Sequence, residues 1–342
     1  MTPLKQSFQV RASVIVVIDT NIWKQHLFLR SPLAAALQLY LSEKDYFLGL
    51  PKIVEDEIRK HLQTEILNLK KSIIVQHDRL LSIFMEMPEV VLPNDDEIKD
   101  IVSEFFADSG FYFKRMPMDL KIARGAIDRV VNRAAPSQDG KVQDSLIWES
   151  CLRWLESDNV TLVSNDKAFF TDKNINDSLY LETKPKKFDL TLVSRIEDIL
   201  DSISDPIVCP RDDFLSAVYS QFGQSLDDLV SSAEAQITEC TKLNLKYFAS
   251  ETHNLVYITG SALFDCVTAN VDEPAGSAFI ELECGWNIQS KEFSQFQLKK
   301  MEYYFQDNFG KQTKSVSVFS AGTAVIGHRN VNRKFRYALP EH

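Results

Sequence analysis

Four carboxylates, Asp19, Glu57, Asp144 and Asp166, stand where a chain of alternating strands and helices would gather them. Asp19 ends the apolar run Val14-Ile15-Val16-Val17-Ile18 and is followed at once by Thr20 and Asn21. A buried parallel strand that delivers a carboxylate at its carboxyl end makes a candidate active site. On a helix beginning at Ile53, 3.6 residues per turn set Glu57 between Ile53 and Val54, while Asp56 points away and Glu55 lies towards the edge. On a helix from Gln143, Asp144 falls within the stripe formed by Ile147, Trp148, Cys151 and Leu155. Each acid taken singly also fits a helix cap or a turn. A carboxylate inside an apolar stripe is costly to bury without a partner, however, and no Lys or Arg of these short motifs shares that position. Two carboxylates about 4 Å apart repel by roughly 4 kcal/mol at an effective dielectric of 20, so a converging set calls for a cation. Hard oxygen ligands suit Mg²⁺ or Mn²⁺ rather than zinc. The six histidines show no paired ligand spacing, and His61, one turn after Glu57, reads as a surface or supporting residue.

The elements that must position these acids follow from hydrophobic periodicity. Residues 14–18, 46–50, 160–164 and 190–193 read as strands alternating with helices, which predicts a parallel sheet covered on both faces. A long helix begins after Pro51 and carries Val54, Ile58, Leu62, Ile66, Leu69, Ile73, Leu80 and Phe84 near helical spacing, until Pro88 and Pro93 end it. Further helices follow Asn94-Asp95, run from about Met118 to Ala134, and start after the break at Pro136-Ser137-Gln138-Asp139-Gly140. Residues of about 62–135 thus read as a helical insertion capping the mouth of the sheet, within a first domain spanning 1–203. From Ser204-Asp205-Pro206 the pattern changes. An amphipathic helix with Phe214, Val218, Phe222, Leu226, Leu229, Ala233 and Ile237 precedes extended segments at about 255–271, 277–288 and 313–327. Residues 204–342 are therefore expected to form a separate α+β domain with an antiparallel sheet.

Composition narrows the classes. A hydrophobic fraction of 44% and a charged fraction of 25% are ordinary for a globular chain. The five cysteines, Cys151, Cys209, Cys240, Cys266 and Cys284, contain no CxxC pair, which supports neither a zinc site nor a disulfide framework. No window approaches the roughly 18 consecutive apolar residues of a membrane span, and Met1–Val10 lacks the apolar core of a signal peptide. A cytoplasmic protein with no membrane association is the resulting expectation. The net charge of -10 argues against broad adhesion to nucleic acid, yet a local basic groove holding metal ions is compatible with a phosphodiester substrate.

Taken in order, Val-Ile-Asp-Thr-Asn at 17–21, Leu-Pro-Lys-Ile-Val-Glu-Asp-Glu-Ile at 50–58, Gln-Asp-Ser-Leu-Ile-Trp at 143–148 and Val-Ser-Asn-Asp-Lys-Ala-Phe at 163–169 resemble the motifs of PIN-domain ribonucleases. Each motif alone is weak, and the ordered set of four is specific. The likeness covers about residues 10–203 and is nearest to the larger PIN-like proteins with a long helical insertion. It implies a three-layer α/β/α domain whose acids hold one or two Mg²⁺ or Mn²⁺ ions and hydrolyse phosphodiester bonds, usually in single-stranded RNA. Residue by residue it makes Asp19, Glu57, Asp144 and Asp166 the catalytic and metal-holding acids. Thr20, Asn21, Ser164 and Asn165 become the polar neighbours that orient metal-bound water. The nearness of Glu55 to Glu57 leaves open which of the two faces the metal.

Substrate grip is expected from cations around the mouth, Lys141 and Lys167 first, with Lys114 and Arg115 offered by Phe111-Tyr112-Phe113-Lys114-Arg115. Aromatics beside two cations stack bases and hold phosphates, and the competing reading of that run is a core-facing turn. Arg59, Lys60, Arg129 and Arg133 could line the insertion, and Lys184-Pro185-Lys186-Lys187 reads as a solvated loop. A haloacid-dehalogenase-type phosphatase would need a second Asp at position 21, where Asn stands. An inactive PIN fold serving as a binding or regulatory protein, or a nuclease acting on DNA, are the remaining alternatives. The C-terminal residues carry no motif tied to chemistry, which leaves RNA recognition, a regulatory partner protein or a ligand as their role, and homo-oligomerisation open.

Overall fold

The computed structural model describes residues 13–26, 28–84, 88–172, 174–200, 211–231, 235–248, 250, 254–268, 274–306 and 312–317. They fall into two compact units, one made of residues up to Arg30 with Leu37–Leu200, the other of Ser31–Ala36 with the residues after Leu200.

In the first unit the chain enters at the centre of a sheet. Strand β1 (Val14–Ile18) has Ile15 to Ile18 at most 1% exposed, as an unbroken apolar run flanked by strands on both sides requires. After helices α1 (Thr20–Gln25) and α2 (Pro32–Lys44), β2 (Phe47–Pro51) pairs parallel with β1. The chain then builds outwards through α3 (Lys52–Phe84) and α4 (Asp95–Glu104) to β3 (Phe113–Met116). Helices α5 (Leu120–Asn132) and α6 (Val142–Trp154) carry it back to β4 (Asn159–Val163), on the other side of β1. A two-residue hairpin, β5 (Phe170–Thr171) and β6 (Asn174–Ile175), and α7 (Asp177–Thr183) precede β7 (Leu190–Val193). The order is β3-β2-β1-β4-β7, with every pair parallel. The winding therefore reverses between β1 and β4, and open α/β sheets bind ligands at the carboxyl ends of the strands at such a switch.

The parallel α/β architecture agrees with the sequence reading, and two details differ. The segment 62–135 is not purely helical, because Phe113–Met116 is the fifth strand of the sheet. Four residues flanked by polar positions are too short to show a strand periodicity, and pairing with β2 supplies what local propensity does not. Helix α3 forms over its full 33 residues, but only Val54 and Ile58 are buried, whereas Leu69, Val75, Ile83 and Phe84 are 54%, 62%, 64% and 63% exposed. Around α5 and α6, the Arg129 guanidinium gathers Glu149 (2.6 Å), the Ala135 carbonyl (2.7 Å) and Glu182 (3.0 Å). Trp148 Nε1 donates to the same Glu182 at 3.1 Å.

In the second unit, α8 (Arg211–Ser231) lies on an antiparallel meander of β8 (Ala235–Phe248), β9 (Leu255–Thr268), β10 (Pro274–Asn287), β11 (Glu292–Gln306) and β12 (Gln312–Ser317). Phe214, Val218, Leu226 and Val230 of α8 meet alternate residues of β9 and β10, among them Ile258, Phe264, Ile280, Leu282 and Trp286. The helix expected to reach Ile237 stops at Ser231, and Ile237 belongs to β8. Strands β8 and β11 escape the sequence pattern because bulges at Ile237/Cys240 and Cys240/Lys242 break the alternation of β8, and one at Glu281/Leu282 shifts β10 against β11. Of the segment expected at 313–327, residues 313–317 lie in β12 and the rest lie outside the described residues. Ala233, expected on the helix, also lies outside them, as does Cys209. The described cysteines, Cys151, Cys240, Cys266 and Cys284, are all unpaired. Among the described residues no helix is long and apolar enough to cross a membrane.

Gly49 of β2 shows how tightly the sheet is covered. A Cβ there would lie 2.6 Å from Ile15 Cγ2, 2.9 Å from Val17 Cγ2 and 3.1 Å from the Trp154 ring. Gly49→Ala is expected to cost about 1–3 kcal/mol through overpacking. A urea midpoint equal to that of the wild type would refute the close packing of β1, β2 and α6.

Candidate active site

Every acid named from the sequence lies at the carboxyl edge of the parallel sheet or on a helix leading away from it. Asp19 directly follows β1 and is 4% exposed, with its backbone N–H still bonded to the Val163 carbonyl of β4 at 2.9 Å. Its own carbonyl accepts from Ile22 (3.0 Å) and Trp23 (3.1 Å), which starts α1. Its Oδ2 accepts from the Ser164 hydroxyl at 2.8 Å. That Ser164 oxygen in turn accepts the Asp166 N–H at 3.1 Å, so one residue after β4 ties two acids together. Asp166 Oδ1 accepts from Ala168 N–H at 2.9 Å, capping a short 3₁₀ turn at Lys167–Phe169, so this acid has the capping role that the sequence allowed. Phe169 is fully buried, with its ring centroid 6.4 Å from that of Trp148 on α6. Asp144 occupies the first turn of α6, where the positive end of the helix dipole favours a carboxylate.

Glu57 and Glu55 part company on α3. Thr20 Oγ1 donates to Glu57 Oε2 at 2.7 Å, which aims Glu57 towards Asp19. Glu55 is taken by Arg59 at 3.0 Å and faces Arg115 at 3.9 Å. Which of the two turns to the site, open on the sequence, is decided here in favour of Glu57.

The electrostatics tie the four acids together. Burial pushes Asp19 above the ordinary carboxylate range. The Ser164 bond opposes that shift, and the charges of Asp166 and Glu57 add to it. Asp144 is pushed up to about 7, by burial first and then by Asp166 and Asp19, with Lys141 opposing. The partners of Asp19 and Glu57 are hydroxyls, which orient a carboxylate without neutralising it. Among the described residues no group of three or more His, Cys, Asp or Glu side chains is close enough to hold a metal ion as arranged. The donor set nonetheless suits a hard divalent cation: oxygen donors only, two of them held above their normal pKa by burial and one another. Enclosing an ion requires Asp144 and Asp166 to draw closer to Asp19, which their repulsion opposes and a cation would offset.

The other expected site residues divide. Asn21, Asn165 and Lys167 are exposed beside the acids. Lys141 precedes α6, pairs with Asp139 at 2.7 Å and feels the charges of Asp144 and Asp166. Lys114 is a correction. Its ammonium lies 2.7 Å from Asp158, which immediately precedes β4, whereas Asp166 follows that strand. Five residues of strand separate those ends by about 16 Å, so Lys114 serves the opposite edge of the sheet. Phe113 is likewise core, packing against Trp23 and Phe106. Arg115, half-exposed on β3, is committed to Glu55 and to the Phe113 face (5.6 Å). Arg129, offered as a lining residue of the insertion, is the buried tie between α5, α6 and α7. Lys24 was missed on the sequence; it stands one turn after Thr20 on α1, a spacing legible only once Thr20 is placed against Glu57.

A doubly wound parallel sheet with acids converging at its switch point is the class of fold that phosphodiester-cleaving enzymes use. Residues 16–169 match the family model described as PIN domain, and the first unit is a PIN domain. As a class, PIN domains are nucleases and typically use divalent metal ions. No curated protein and no solved structure matches the chain.

A raised Asp144 pKa has a defined thermodynamic sign. A carboxyl whose folded pKa exceeds its unfolded value binds more protons when folded, so stability falls as pH rises from about 4 towards 7 and stays lower above that. In EDTA at pH 8, Asp144→Asn is expected to raise the melting temperature by about 3 °C and to flatten this decline. Equal melting of variant and wild type from pH 4 to pH 8 would contradict the proposed crowding of charge.

Proposed function

We propose that this protein is a Mg²⁺- or Mn²⁺-dependent endoribonuclease that hydrolyses phosphodiester bonds in single-stranded RNA. The observation that carries the reading is Asp19: a carboxylate 4% exposed, bonded to a hydroxyl, at the switch point of a PIN-domain sheet with three further acids around it. Asp19, Glu57, Asp144 and Asp166 would hold the cation. When bound it polarises a phosphoryl oxygen and lowers the pKa of an attacking water. The remaining work belongs to the chain. Thr20 fixes the rotamer of Glu57, and Ser164 fixes Asp19 while setting the backbone of Asp166. The exposed amides of Asn21 and Asn165 stand where they can orient water and non-bridging oxygens. Lys141 and Lys167 draw the phosphate towards the acids against their repulsion. RNA and its single-stranded form follow from the family likeness, and the second unit is proposed as a regulatory or recognition module.

Purified protein incubated with single-stranded RNA, double-stranded RNA and single-stranded DNA in Mg²⁺ or Mn²⁺ tests this. Cleavage of the single-stranded RNA is expected, with activity abolished by EDTA and reduced at least about a thousandfold in Asp19→Asn. Cleavage shared equally by that variant would sink the mechanism, and preferential cutting of DNA would replace the substrate. Metal affinity should rise with pH up to about 7, as the Asp144 proton is lost. A Mn²⁺ titration by calorimetry showing equal affinity at pH 5.5 and pH 7.5 would exclude Asp144 as a ligand.

A further inference from the structure

Two cations are carried to one end of the site by the same contact that fixes Glu57. Thr20 opens α1, Glu57 lies in the second turn of α3, and the 2.7 Å bond between them sets the two helices side by side. Side chains four residues apart share a helix face. One turn beyond Thr20 stands Lys24, one turn beyond Glu57 stands His61, and Lys60 is its neighbour. The electrostatics agree with that placement. His61 is held below its usual pKa by partial burial first, then by the charge of Lys24, with Lys60 adding and Glu57 opposing.

Lys24 and Lys60 are exposed and form no ion pair among the described residues. Other cations of the unit are committed: Arg59 to Glu55 and the Val102 carbonyl, Lys114 to Asp158, Arg129 to Glu149 and Glu182. Two unneutralised ammonium groups on adjoining helix faces repel each other, and an anion between them relieves that repulsion. At the far end of the acids, Lys141 feels Asp144 and Asp166, and Lys167 follows Asp166. The couplings therefore run in one order, from Lys24 and Lys60 through Glu57, Asp19, Asp166 and Asp144 to Lys141.

We propose that Lys24 and Lys60 form a second phosphate-binding subsite, which holds the backbone of a single-stranded nucleic acid on one side of the scissile bond while Lys141 and Lys167 hold it on the other. The proposal rests on the nuclease reading and extends it: the substrate is a strand that continues in both directions from the acids, so cleavage is internal, and a ligand with a single phosphate lacks the second grip.

The test is fluorescence anisotropy of a labelled single-stranded 12-mer, as RNA and as DNA, binding the full-length protein in EDTA. Wild type, Lys24→Glu/Lys60→Glu and the control Lys71→Glu on the exposed part of α3 are compared over a salt series. The double variant is expected to bind at least about tenfold more weakly, and its slope of log affinity against log salt to shrink by about 1.4, as loss of two single-strand phosphate contacts requires. Lys71→Glu should match the wild type. Given Mg²⁺ or Mn²⁺, kcat/KM on the 12-mer should fall in the double variant, while that on a dinucleoside monophosphate stays unchanged. A double variant that melts like the wild type yet keeps its affinity and salt slope overturns the subsite, as does a wild type that binds no strand. Lysine-dependent binding without cleavage would sink the nuclease reading and leave the subsite standing. Cleavage with unchanged kcat/KM in the double variant would do the reverse.

Discussion

A carboxylate removed from water and given only hydroxyl partners is the constraint around which the first unit is organised. Asp19 is buried because it follows a strand that lies at the centre of its sheet, and no lysine or arginine is bonded to it. A paired Arg would lower the cost of burying Asp19 but would also occupy the coordination space that a cation needs. The hydroxyls of Thr20 and Ser164 fix direction while leaving charge unspent. The result is a site in tension before any ligand arrives, visible in the upward shifts of both Asp19 and Asp144.

The scaffold converts that tension into position. The winding of the chain places its reversal between β1 and β4, so residues 145 positions apart, Asp19 and Ser164, come within hydrogen-bonding distance. Helix α6 is held from behind by Arg129, whose partners Glu149 and Glu182 lie on α6 and α7, and Glu182 also holds the indole of Trp148. Since Trp148 packs on Phe169, the same network supports both Asp144 and the turn that Asp166 caps. The fixed geometry therefore comes from charge pairs behind the site, and the site itself keeps its charges unpaired.

Much of this was legible in the sequence because it depends on patterns that survive without tertiary context. The unbroken apolar run before Asp19, the helical phase that puts Glu57 inward, and the Asp144 stripe are local properties, and all lead to the positions found. What stayed hidden depends on partners distant in sequence. β3 is four residues long and is a strand because β2 pairs with it. Lys114 resembled a substrate cation until its reach to Asp158 at the opposite sheet edge was known. Lys24 became interesting only through the contact of Thr20 with Glu57. In the second unit, bulges removed the alternation by which β8 and β11 would have been recognised.

Helix α3 has an uneven inner economy. At about 1.5 Å per residue its 33 residues reach about 50 Å, yet the residues that anchor it, Val54 and Ile58, and the acid it delivers, Glu57, all lie in its first two turns. Beyond about Leu69 the side chains are mostly exposed, and a helical stretch of that length is marginal when it has only itself to rely on. The helix is thus two objects joined end to end: a rigid root whose amides open only with the whole unit, and a distal arm free to fray in local openings that leave the catalytic edge undisturbed.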